Sequence, residues 1–262
     1  MMNKYALIDL EPNIDTTPGT VHGSSDILFD WTAIEIPTGA CKVTTVHAIV
    51  EGTDGTAGNT HDIHLYFARS INGVAPPTFG TENAVTVKQT TLAFRRHLLG
   101  FIYLDLSARD DSDKLRSYSV LGGRTASGND NTAIAGEMYN ITLQGDPKST
   151  SSTAGYQTIW VAGFGAGAFN FGTAVVLNMA ASANVAADTT GDSITLTTSG
   201  TTPISCFAAG DQLIGSTGGP TMEVVSVDTA TQMKVKNISE QIDHGEELVV
   251  RNPLKFRIGL EY

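Results

Sequence analysis

The sequence is short of most features that announce chemistry. It has two cysteines, Cys41 and Cys206, far apart and in differently patterned regions. Such a pair makes neither a disulfide framework nor a zinc ligand set. No apolar run approaches the roughly 18 residues of a membrane-spanning helix. The N-terminal MMNKYALIDLEP lacks a charged segment leading into a long apolar one, so no signal peptide is visible and folding in a reducing cytosol is expected. Basic residues are scarce: 16 Lys and Arg stand against 27 Asp and Glu, for a formal net charge of -11. An acidic surface repels phosphate backbones and anionic headgroups, which makes nucleic acid and membrane poor partners. There is no G-x-S-x-G elbow, no G-x-x-x-x-G-K-[ST] phosphate loop and no H-E-x-x-H. Helical patterning is nearly absent too. The best candidate, TLAFRRHLL (91–99), runs directly into the strand-like FIYLDL.

What the chain has is period-two alternation. Its 262 residues, 41% hydrophobic and 16% charged, are enough for a packed core. In HDIHLYFAR, His61, Ile63, Leu65 and Phe67 share one face, with Asp62, His64, Tyr66 and Ala68 on the other. Similar runs are DILFDWTAIEI (26–36), KVTTVHAIVEG (42–52), NAVTVKQ (83–89), LLGFIYLDL (98–106), MYNITLQG (138–145), YQTIWVAGF (156–164) and TAVVLNM (173–179). Turn-forming clusters such as PTGA and GTDGTAGNT bound them. Long polar loops are expected at 50–60, 107–116, 122–135 and 145–155, on the surface or in contact with a partner. Many short strands at this spacing imply an all-β chain, an antiparallel β-sandwich or jelly-roll.

The pattern changes near residue 180, where MAASANVAADTTGD reads as a linker. Beyond it SITLTTS (193–199), DQLIG (211–215), TMEVVSVD (221–228), QMKVKN (232–237) and EELVVR (246–251) are very short strands, suited to curl into a small β-barrel. The closing LKFRIGLEY (254–262) alternates again and looks like a return to the first sheet. We therefore expect a main sandwich domain of residues 1–183 plus 252–262, with a small inserted β-barrel domain at 184–251.

Each candidate site residue has a bland alternative. His61 and His64 are three apart on a strand, hence on opposite faces, and cannot easily share a metal ion. Asp110, Asp111 and Asp113 in ARDDSDK could gather calcium in a loop, but lack the glycine and terminal glutamate of an EF-hand loop. A solvated acidic turn is the stronger expectation. The glycine-rich GFGAGAFNFG (163–172) has no helix pattern behind it and so offers no phosphate site. It reads as a loop or bulged strand of close backbone approach, with Phe164, Phe169 and Phe171 anchoring on a core or on a neighbouring subunit. Asn140 and Asn237 open glycosylation-type triplets within strand patterns, a chance match. Trp31 and Trp160 sit mid-strand, where core packing outweighs a sugar-binding platform, and most aromatics are expected to alternate into strand interiors. No catalytic residue, cofactor-binding residue or metal ligand is assigned, no cofactor is expected, and the chain reads as a non-enzyme.

One resemblance adds a functional expectation. FAAGDQLIGSTGGPTMEVVSVDTATQMKVKNISEQIDHGEEL (207–248) carries G-D-x-[hydrophobic], then E-V-V-S-V-D, a turn and a short strand ending near G-x-x-L. It resembles small β-barrel modules of tailed-bacteriophage virion proteins. Residues 34–84 are similar to structural proteins of marine and cyanobacterial phages. The resemblance implies a virion component, most plausibly a decoration or cement protein on the capsid exterior, made in the host cytoplasm. Its partners would be the major capsid protein and copies of itself, as a trimer or dimer matching shell symmetry. Contact would come through edge strands or an N-terminal arm, MMNKYALIDLEPNIDTTPGTV, reaching across a neighbour. A tail or baseplate component and a receptor- or carbohydrate-binding module are the alternatives.

Overall fold

The computed structural model describes residues 4–12, 14, 21–51, 61–84, 93–104, 109–112, 115–121, 124–125, 134–135, 141–147, 155–171, 175–179, 184–199, 204–215 and 219–262. The strands are β1 (Tyr5–Leu10), β2 (Ile27–Pro37), β3 (Cys41–Glu51), β4 (Ile63–Arg69), β5 (Leu98–Leu104), β6 (Arg109–Ser112), β7 (Leu115–Leu121), β8 (Arg124–Thr125) and β9 (Ile134–Ala135). They continue as β10 (Thr142–Leu143), β11 (Tyr156–Gly165), β12 (Val175–Leu177), β13 (Ile194–Thr197), β14 (Gln212–Gly215), β15 (Thr221–Thr229), β16 (Gln232–Lys236), β17 (Glu246–Val250) and β18 (Leu254–Glu261). The fold is all-β. Helix among the described residues is confined to 3-10 turns at Ala93–Arg96 and Ile204–Cys206, so TLAFRRHLL contributes one turn.

Two antiparallel sheets form the sandwich. One has the order β1-β18-β3-β7-β6, with β10 also on β3; the other runs β2-β11-β4-β5. Alternation drives them together. Ile63, Leu65 and Phe67 of β4, Ile159 and Val161 of β11, Val46, Ala48 and Val50 of β3, and Phe256, Ile258 and Leu260 of β18 are buried in one cluster. Each fully buried large aliphatic or aromatic side chain contributes about 1.5–3 kcal/mol. The alternation of β3 breaks at Thr44–Thr45, and its partner explains why. β18 slips register between Gly259 and Leu260, and a Cβ at Gly259 would lie 2.2 Å from Thr45 Oγ1. A glycine-centred bulge thus keeps both halves of β3 facing the core.

Three stretches differ from the sequence expectation, one of them the expected loop at 122–135, where the two-residue strands β8 and β9 pair antiparallel with each other. Residues 5–10, expected as an arm reaching for a neighbour, form β1 on their own chain's β18, because Ile8 and Leu10 alternate onto the core. Part of the expected loop at 107–116 is strand: β6 pairs with β7. The run NAVTVKQ falls mostly outside the described residues.

The third sheet, β12-β17-β14-β15-β16-β13, wraps its own cluster, including Leu177, Leu196, Leu213, Met222, Val224, Met233, Val235 and Leu248. Its ends meet. Met179, just past β12, bridges Thr198, just past β13, and Ser199 N donates to Asn178 O at 2.7 Å. The sheet is therefore closed as a six-stranded barrel. It takes in β12, which lies ahead of residue 184. β18, following β17, runs between β1 and β3 of the sandwich.

Candidate functional site

The β2-β11-β4-β5 sheet has a second apolar layer on the face turned away from the sandwich core. Ile27, Phe79, Phe94 and Ala162 are buried together there, with Trp31, Tyr66, Leu98 and Phe164 packed against them. Strand register builds the layer. His64 lies opposite Tyr103 and Tyr66 opposite Phe101 across β4 and β5, and His64 lies opposite Phe164 across β4 and β11. Cross-strand neighbours of this kind put their rings within stacking distance. The His64 and Phe164 rings stack at 4.4 Å and 22°, Tyr66 and Phe101 at 5.6 Å and 24°, and Tyr66 and Phe164 at 5.6 Å and 27°. Tyr103 meets His64 edge-on at 4.6 Å.

One end of this layer is roofed and the other is open. Asp30 fixes the roof: its Oδ1 accepts from Trp31 N and Phe79 N, both at 2.7 Å, and its Oδ2 accepts from the Thr78 hydroxyl at 2.6 Å. Trp31 Nε1 donates to Pro77 O at 2.9 Å, and the Phe79 ring lies 5.2 Å from those of Trp31 and Phe94. At the open end Phe101, on edge strand β5, is 52% exposed. The rim there is polar: the Tyr103 hydroxyl donates to Asp62 Oδ2, and Asp62 N donates to His61 Nδ1 at 2.9 Å. Burial lowers the pKa of His64 against the opposing pull of the Asp62 carboxylate, and burial raises that of the Tyr66 phenol. Both rings are uncharged at neutral pH.

The residues singled out from sequence fall as follows. His61 lies just before β4 against the Gly167 backbone, where a Cβ would sit 2.1 Å from its ring, while His64 sits in the aromatic layer; the two do not converge. Asp110 and Asp111 belong to paired strand β6 rather than a loop, and Asp113 lies outside the described residues. No group of three or more His, Cys, Asp or Glu among the described residues could hold a metal ion. Cys41 is buried, its Sγ 3.2 Å from Pro37 O, with burial pushing its thiol pKa up; Cys206 is half-buried in the 3-10 turn at Ile204–Cys206 and is not joined to Cys41. The glycine-rich run starts as the bulged end of β11, whose register shifts on both sides of Gly163, and leaves the strand after Gly165; a Cβ at Gly163 would lie 2.5 Å from Phe29 Cε1. Phe169 and Phe171 are buried in the inter-sheet cluster, and Phe164 is in the outer layer. Asn140 lies outside the described residues, and Asn237 follows β16 with φ 55° rather than lying within a strand.

The expectation that most aromatics point inward is corrected. Trp31, His64, Tyr66, Phe101, Tyr103 and Phe164 are all outside the inter-sheet core, as is Trp160, whose Nε1 donates to Ser70 Oγ at 3.0 Å. The signal was present as the i, i+2 pairs His64/Tyr66 and Phe101/Tyr103. It marks a shared face, but which strands are neighbours is needed to see one stack.

No protein-family model matches the chain, and no curated protein matches it. Among solved structures it is similar to one titled as deformed wing virus, a honeybee pathogen, at 6% identity over 98% of this chain and 84% of that one, with a TM-score of 0.18. It is also similar to the T=1 Penaeus vannamei nodavirus, at 12% identity over 96% of this chain and 98% of that one, with a TM-score of 0.09. The tailed-bacteriophage expectation is corrected by these findings, which are structures of other viruses. With it goes the decoration or cement role on a phage head.

Proposed function

We propose that the chain is a non-enzymatic virion structural protein of capsid type, which works by associating with copies of itself. The observation that carries this is the aromatic layer outside the sandwich, open at Phe101 on β5, the terminal strand of its sheet among the described residues. The sandwich already has a full core between its sheets, so a half-exposed aromatic stack on the outside adds adhesive area. Aromatics of this kind supply the anchors of protein interfaces, and an unpaired strand edge supplies backbone donors and acceptors next to them. The net charge of -11 supports a protein partner over nucleic acid.

The test is light scattering of the purified chain over a wide concentration range, with electron microscopy of the product. We expect concentration-dependent oligomers or particles. Phe101→Ser should weaken association at least tenfold while leaving the melting temperature within a few degrees, because the ring is half in solvent already. A wild-type chain that stays monomeric to ~100 μM, above the micromolar range of specific contacts, would sink the reading.

We also propose that the barrel is a unit set into the sandwich chain, spanning about residues 184–251 with β12 joining it. A second reading, a glycan-binding module, is favoured by one observation: the exposed Phe101 ring shares its face with the Asp62–Tyr103 pair. Saturation of the Phe101 ring protons by a bound sugar in an NMR transfer experiment would support it, and no transfer from a broad glycan panel would remove it.

A further inference from the structure

The hydrogen-bond phase of β1 specifies how a second copy would pair with it. Lys4 and Tyr262 exchange both backbone bonds, Lys4 N to Tyr262 O at 3.1 Å and Tyr262 N to Lys4 O at 3.0 Å. Antiparallel pairs alternate between bonded and non-bonded, and the register from Tyr5↔Glu261 to Leu10↔Phe256 is unbroken. Ala6, Ile8 and Leu10 therefore bond to β18. Tyr5, Leu7 and Asp9 turn their N–H and C=O groups away from it, toward the open edge. The far side of β18 agrees: Glu51 N donates to Pro253 O at 2.8 Å, which puts the odd-numbered residues of β18 on β3 and the even-numbered ones on β1.

The same three residues carry exposed side chains. Tyr5 is 70% and Leu7 64% exposed, and Asp9 holds Arg257 Nε at 2.9 Å on the outer face. β1 is the terminal strand of its sheet, and no described residue beyond β18 bonds to its backbone. An edge with free groups at i, i+2 and i+4 is self-complementary about its middle residue. A two-fold axis at Leu7 pairs Leu7 with Leu7, Tyr5 with Asp9 and Asp9 with Tyr5, and satisfies all three. Axes at Ala6 or Ile8 satisfy only two of the three by pairing within β1.

We propose that a second copy of this chain docks antiparallel on β1, with the two-fold axis at Leu7, joining two sandwiches into one continuous sheet. Each Tyr5 ring then lies beside the other copy's Asp9 and Arg257, where an aromatic face meets a guanidinium. Ala6 and Ile8 face each other on the inner side, extending the core across the axis. A six-residue strand pair buries less than the roughly 1,200–2,000 Å² of a stable interface, so the contact is weak alone and gains strength from multiplicity in a shell. The proposal rests on the self-association reading above and names one of its contacts.

Cysteine cross-linking tests the register in the full-length chain with Cys206→Ser. Bonded antiparallel partners have Cα atoms about 5.5 Å apart, within the range a disulfide spans. Leu7→Cys should cross-link to a covalent dimer under mild oxidant. Tyr5→Cys should not, because the two copies of residue 5 lie four residues, about 13 Å, apart. Leu7→Pro removes only an outward N–H, a substitution edge strands accept, and should weaken association at least tenfold. Leu7→Lys, which places two ammonium groups at the axis, should do the same. A chain that associates while Leu7→Cys stays uncross-linked and both other variants associate normally overturns the β1 contact and leaves the self-association reading standing. A chain that never associates overturns both.

Discussion

Gly163 sits where the two sheets leave no room for a side chain, and its replacement by alanine tests the packing directly. The added Cβ would lie 2.5 Å from Phe29 Cε1 and 2.9 Å from Cζ. Carbon atoms rest at about 3.5–4.0 Å, so the ring must retreat by roughly 1 Å. It has little space: Phe29 is buried and its ring lies 5.7 Å from that of Phe256. Overpacking of this kind costs about 1–3 kcal/mol. We place Gly163→Ala at about 2 kcal/mol, a roughly 30-fold shift toward the unfolded chain. Both tryptophans, Trp31 and Trp160, lie on the β2–β11 pair that holds the contact, so their fluorescence during urea unfolding reports on the sandwich. Phe29→Leu in the Gly163→Ala background should recover at least about 1 kcal/mol of the summed single costs, read as a double-mutant cycle. An unchanged urea midpoint for Gly163→Ala, or a strictly additive cycle, would refute the close-approach argument.

Two further outcomes follow from the aromatic layer. Burial holds the His64 pKa below that of the unfolded chain, so the unfolded state binds the proton first as pH falls. Stability from this group is constant above about pH 6.5 and declines as pH drops from there toward the lowered folded value. The difference in urea midpoint between wild type and His64→Phe should therefore shift in favour of the variant between pH 7.5 and pH 5; a constant difference contradicts it. Asp30→Ala removes the acceptors of three hydrogen bonds and should cost about 2–3 kcal/mol, with red-shifted Trp31 emission and faster hydrogen exchange at Phe79 N. Asp30→Asn, which keeps one carbonyl oxygen, should cost less than half as much.

Alternation made most of the architecture legible. Ile63, Leu65 and Phe67 show their shared face in seven letters, and β18 is equally plain in LKFRIGLEY. β1 was hidden because its outer side carries Tyr5 and Leu7; a strand with apolar residues on both sides has no clear polar face, and YALIDL looked like an arm. β6 and β7 were obscured by RDDSDK, whose charges look like loop composition although Asp110 and Asp111 pair with Ser117 and Arg116. The aromatic layer was legible only residue by residue. The stack of His64, Tyr66, Phe101 and Phe164 joins three strands, and pairing across about a hundred residues is a property of topology that no local pattern encodes.

Closing the third sheet into a ring has a consequence for how copies can join. An open six-stranded sheet presents two unpaired borders, and each is a potential point of endless strand-by-strand growth. The Met179–Thr198 bridge and the Ser199–Asn178 bond tie these two borders to each other, which takes the barrel out of strand pairing between copies. Lowering the valence of the subunit in this way favours a finite, closed arrangement over a fibre.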